Sequence, residues 1–62
     1  MQVRLKVQRV YNAIELALVT FDPEYDVYIW NRLVTLEKMF KGKSGFMVWL
    51  DESDYRMIER FI

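Results

Sequence analysis

With 62 residues, 53% of them hydrophobic and 16% aromatic, the chain is sized for one small domain spanning 1–62, with a core that must be densely packed. It contains no cysteine and no histidine, which excludes disulfide staples, thiolate metal sites and the commonest general base, so neither cofactor nor metal is expected. Nine basic and nine acidic residues cancel, leaving no global pull toward nucleic acid or an anionic membrane.

The opening "MQVRLKV" lacks the apolar run of a signal peptide, and no stretch approaches the ~20 apolar residues of a membrane helix. A soluble cytoplasmic protein is the resulting expectation. Residues 3–8, "VRLKVQ", alternate: Val3, Leu5 and Val7 point one way, Arg4, Lys6 and Gln8 the other. That period of two predicts a half-buried strand. Tyr11-Asn12 can turn the chain, because Asn tolerates left-handed dihedrals.

Residues 13–21, "AIELALVTF", fit two periods. As a strand, Ile14, Leu16 and Leu18 form one face, with Glu15, Ala17, Val19 and Phe21 on the other. As a helix, Ile14, Ala17, Leu18 and Phe21 line up. The β-branched and aromatic residues near its end, and the short link to the first strand, favour a hairpin.

"DPE" at 22–24 predicts a helix start: Asp22 as cap, Pro23 in the first helical position, Glu24 at the positive end of the dipole. The helix is expected to reach about Lys41, with Gly42 as a left-handed stop. "FMVWL", 46–50, predicts a short strand, and "DESD" a second helix start capped by Asp51 and running from 52 to about 61.

The predicted fold is therefore α+β, in the order β-β-α-β-α. A right-handed crossover through the long helix would set the third strand parallel to the second. The result is a three-stranded mixed sheet of order 2-1-3, with both helices on the Val3/Leu5/Val7 face.

Two motifs invite chemistry and fail on inspection. Gly42-Lys43-Ser44 ends like a P-loop, but the glycine needed five positions before the Gly-Lys pair is Glu37, and the predicted order is helix, loop, strand instead of strand, loop, helix. A calcium loop begun at Asp51 would want glycine sixth and glutamate twelfth; it has Arg56 and Ile62. Ser44 and Ser53 are the only serines, with no histidine to activate either. No catalytic residues are assigned, and the chain is not expected to be an enzyme. Two clusters, Asp22/Glu24/Asp26 and Asp51/Glu52/Asp54, hold six of the nine acids and could form one acidic rim; separate helix capping explains them more simply.

Apolar surface is in excess. On the long helix, Tyr25, Ile29, Leu33, Leu36 and Phe40 make a core stripe at 100° per residue, and Val27, Trp30 and Val34 make a second. On the sheet, Phe46, Val48 and Leu50 facing the helices would turn Met47 and Trp49 outward, joined by Val19 and Phe21 beside Arg4, Lys6 and Glu15. An apolar patch rimmed by charge marks an interaction surface, and tryptophan is enriched among binding hot spots. The sequence thus points to a non-catalytic protein–protein interaction module that self-associates as a homodimer, with Val27, Trp30, Val34, Phe21, Met47 and Trp49 at the interface. Regulators and inhibitors of host macromolecules, of phage or viral type, are often this small and cofactor-free, an association of size alone. The alternative is single-stranded nucleic-acid binding on an open sheet face carrying Arg4, Lys6, Phe21, Lys43 and Trp49.

Overall fold

The computed structural model describes residues 1–43 and 45–62; Ser44, the last residue of the Gly42-Lys43-Ser44 motif, lies outside the described residues. The chain runs β1 (Gln2–Lys6), α1 (Val7–Thr20), α2 (Val27–Phe40), β2 (Met47–Asp51), α3 (Glu52–Ile58) and a 3₁₀ turn over Glu59–Phe61. The α+β class is as expected, but the sheet has two strands, β1 and β2, paired antiparallel, and there are three α-helices among the described residues. The predicted three-stranded mixed sheet of order 2-1-3 does not form.

The difference arises at residues 7–20. Val7, Val10, Ile14 and Ala17, with Leu18 and Phe21 beyond them, repeat at helical spacing across the Tyr11-Asn12 pair that reads locally as a turn. Coiling buries Val7, Val10, Ala13, Ile14 and Ala17 together, which the alternating strand pattern would have split between two faces. Asn12 sits on the exposed side, where its side chain accepts from Gln8 Nε2 at 3.0 Å, one helical turn away. With no second strand, the long helix is no crossover. It is instead the second arm of a helix hairpin, α1 against α2.

The start of α2 also shifts. The residue before a proline is pushed out of helical geometry, so Asp22-Pro23 breaks the chain without starting a helix. The Asp22 side chain accepts from Glu24 N at 2.9 Å, and its carbonyl accepts from Tyr25 N at 3.1 Å, closing a separate turn. Asp26 is the true cap, accepting from Ile29 N at 3.0 Å. Tyr25, placed in the core stripe by sequence, falls outside the helix and is 90% exposed. At the other end Lys43 N donates to Phe40 O at 3.2 Å; Lys41 at φ −61°, ψ 134° and Gly42 at φ 75° follow the type II turn pattern, which needs a glycine at that third position. The motif residues Gly42 and Lys43 thus follow a helix C-terminus, whose carbonyls face the turn.

Both strands pass straight into helices, and the ladder does the capping. Lys6 and Asp51 make no side-chain cap bonds. Instead Val7 N donates to Phe46 O at 2.8 Å, and Glu52 N to Met1 O at 3.0 Å. The core joins Val7, Val10, Ala13, Ile14 and Ala17 of α1, Leu33, Leu36 and Phe40 of α2, Leu50 of β2 and Ile58 of α3. One long-range ion pair ties α2 to α3: Arg32 Nε and Nη2 donate to Asp54 Oδ1 and Oδ2 at 2.8 and 2.7 Å, with Asp54 buried. That bond raises the Arg32 guanidinium further above its ordinary range. Among the described residues no helix is long and apolar enough to cross a membrane.

Candidate interaction surface

The register of the ribbon sorts its residues into two faces. Val3 pairs with Leu50 and Leu5 with Val48; Gln2 pairs with Asp51, Arg4 with Trp49 and Lys6 with Met47. Leu50 is buried, and Leu5 and Val48 pack partly buried on the core. The other face carries Gln2, Arg4, Lys6, Met47, Trp49 and Asp51, all exposed.

The bonds at the two ends of the ladder, Val7 to Phe46 and Glu52 to Met1, also fix its phase. In an antiparallel pair, hydrogen-bonded and non-hydrogen-bonded residue pairs alternate. Val3–Leu50 and Leu5–Val48 are therefore hydrogen-bonded pairs, and Arg4–Trp49 and Lys6–Met47 are not. Non-hydrogen-bonded pairs approach more closely, at about 4.5 Å between Cα atoms, so their side chains touch. Accordingly the Arg4 guanidinium lies 5.9 Å from the Trp49 ring centroid, a cation–π contact, and Gln2 Nε2 donates to Asp51 Oδ1 at 3.3 Å. Trp49 remains 61% exposed at the centre of this face.

Not every residue predicted here is here. Phe46 shares the parity of Val48 and Leu50 but is exposed, because it precedes β2 at the ribbon's end. Val19, Phe21 and Glu15 belong to α1 or its end, since that segment is helical, and have left the sheet. Phe21 packs edge-on against Phe61, centroids 6.0 Å apart, with the Arg60 guanidinium 5.0 Å over its ring and 4.9 Å over Phe61. Of the nucleic-acid set, Arg4, Lys6 and Trp49 share the face, Lys43 stands in the turn before β2, and Phe21 is elsewhere. The second α2 stripe forms a separate surface: Val27 is 57% exposed, and Trp30 and Val34 are half-buried without joining the side chains packed on the core cluster.

The acidic clusters disperse into local roles. Asp22 and Asp26 accept backbone N–H groups, Asp54 holds Arg32, Asp51 meets Gln2, and Glu52 accepts from Arg56 Nη2 at 2.7 Å. That last contact lowers the Glu52 carboxyl below its ordinary value. Sequence reasoning missed the Arg32–Asp54 tie, because partners 22 positions apart leave no local pattern. It also missed a meeting of α1 and α2: the Glu15 carboxyl, by hydrogen bonding, holds the Glu37 carboxyl above its ordinary value, with partial burial adding and Lys41 and Lys38 opposing. Burial, then Glu15 and Glu37, push the nearby Tyr11 phenol up. Among the described residues no three metal-ligating side chains cluster. No family model matches this chain, and neither does any curated protein or solved structure at a significant level.

Proposed function

We propose that this chain is a small non-catalytic protein-interaction module that docks through the outer face of its ribbon, binding a partner protein and so blocking or adapting it. The observation that supports this reading is Trp49, 61% exposed at the centre of a face whose neighbours are Met47 and Arg4. Its place in the paired β1–β2 ladder fixes its backbone, and a large aromatic flanked by a cation is the chemistry of an interface hot spot. The α2 stripe of Val27, Trp30 and Val34 offers a second contact area.

The test is quantitative capture of binding partners by wild type, Trp49→Asp and Trp30→Asp, each shown by circular dichroism to be folded. Loss of the same partner with Trp49→Asp supports the reading; full retention by both variants removes it. Single-stranded nucleic-acid binding is the rival, and its supporting observation is that Arg4, Lys6 and Trp49 share one face. Asp51 on that face and zero net charge oppose it. Quenching of Trp49 fluorescence by an oligonucleotide in a Trp30→Phe background, lost steeply with added salt, would favour the rival; no quenching at low salt eliminates it.

A further inference from the structure

A two-stranded ribbon has two open edges, and the phase of this ladder says which backbone groups point out of each. Those of residues in non-hydrogen-bonded pairs face away from the partner strand. On β1 these are Gln2, Arg4 and Lys6; on β2 they are Met47, Trp49 and Asp51. The Asp51 carbonyl is engaged as the cap of α3, which leaves the Met47, Trp49 and Asp51 N–H groups and the Met47 and Trp49 carbonyls on the β2 edge. No backbone bond outside the regular elements takes up any of these five groups among the described residues.

The edges differ in charge. Arg4 and Lys6 both stand on β1, and basic side chains on an edge strand deter pairing. Two β1 strands related by a twofold axis through Arg4 would set Arg4 against Arg4 of the second copy, a repulsive pair. The β2 sequence "MVWLD" carries only Asp51. A twofold axis through Trp49 sets Asp51 opposite Met47 of the second copy and sets no charge against its like.

We infer that β2 is a self-pairing edge: two copies of this chain join β2 to β2, antiparallel and centred on Trp49, as one continuous four-stranded sheet. In that register each Trp49 N–H donates to the Trp49 carbonyl of the second copy, and each Asp51 N–H to the Met47 carbonyl of the second copy. The two indole rings lie side by side on the outer face at the spacing of aromatic cross-strand pairs. The half-buried Val48 comes opposite Leu50 of the second copy, extending the inner face. The contact is isologous and closes at two copies. It deepens the reading of the ribbon's outer face as a docking surface, since the dimer doubles the Trp49 face, but it rests on backbone groups where that reading rests on side chains.

Backbone methylation separates the two, and a chain of 62 residues is within reach of chemical synthesis. N-methyl-Trp49 deletes an outward N–H while keeping the indole and the β1–β2 ladder; N-methyl-Arg4 does the same on the other edge. Sedimentation equilibrium from micromolar to millimolar concentration is expected to show a wild-type dimer, an unchanged dimer for N-methyl-Arg4, and dimer affinity weakened at least about tenfold for N-methyl-Trp49. A wild-type monomer at millimolar concentration, assembly beyond two copies, or a dimer indifferent to N-methyl-Trp49 overturns the inference. If N-methyl-Trp49 fails to fold, Trp49→Lys decides, because it sets like charges across the axis: a folded monomer supports the inference and a persistent dimer overturns it. A partner protein still bound by monomeric N-methyl-Trp49 leaves the face reading standing by itself.

Discussion

Leu50 and Trp49 are neighbours in one short strand, yet they do opposite things. Leu50 turns inward beneath Val3 and is sealed by the helices; Trp49 turns outward beneath Arg4 and meets water. The larger, more aromatic side chain is the one left exposed. The contrast teaches that side-chain hydrophobicity does not decide burial in a ribbon this narrow: the parity of the strand does, and only one face has helices to cover it.

Leu50→Ala tests the contrast most severely. It leaves a cavity in the core and is expected to cost about 2–5 kcal/mol, against a total stability that is itself about 5 kcal/mol or less for so small a domain. Trp49→Ala loses only an exposed cation–π contact and is expected to cost about 1 kcal/mol or less. Urea unfolding followed by circular dichroism measures both, and comparable losses would break the distinction between the faces.

The ion pairs divide along the same line. Arg32→Met strands the buried Asp54 carboxylate; because about a third of Arg32 stays exposed and water reaches the pair, the expected loss is about 2–3 kcal/mol instead of the larger figure for a sealed pair. Asp54→Asn keeps a polar partner for Arg32 and should cost less, about 1–2 kcal/mol. If the order of these two variants is reversed in denaturant titrations, Asp54 is not the member whose burial matters.

Glu37 sharpens the comparison through pH. Its folded carboxyl is raised by Glu15, so the folded state holds that proton more tightly than the unfolded chain, and this contribution to stability is lost as pH rises through the folded pKa. Glu37→Gln should therefore raise the thermal midpoint slightly at neutral pH and flatten the pH dependence just above the ordinary carboxylate range. The exposed Glu52–Arg56 pair lies at the far end of the scale. Its depressed Glu52 pKa contributes above the unfolded value and fades as pH falls through the folded one, and Glu52→Gln should leave the midpoint unchanged within error in physiological salt.

Much of this molecule can be read locally. The inward set Leu5, Val48 and Leu50 and the outward set Arg4, Lys6, Met47 and Trp49 follow from alternation, and the Leu33/Leu36/Phe40 stripe and the Gly42 stop follow from helical spacing and turn chemistry. The misreading of 7–20 came from the window. Within nine residues Ile14, Leu16 and Leu18 alternate convincingly; over fourteen, Val7, Val10, Ile14 and Ala17 do not. The start of α2 was read too early, at Asp22, because Pro23 marks a break as readily as a first turn; Asp26 makes the cap.

By itself the sequence determined what short-range physics can determine: which residues alternate, where glycine and proline interrupt, and that no histidine or cysteine is present to do chemistry. Tertiary structure alone decided that α1 folds as a helix to give α2 a partner, that the sheet stops at the two strands β1 and β2, and that Asp54 finds Arg32. Those outcomes depend on which apolar surfaces meet across the chain, and burial is a property of the pair that meets, not of either residue in its own stretch of sequence.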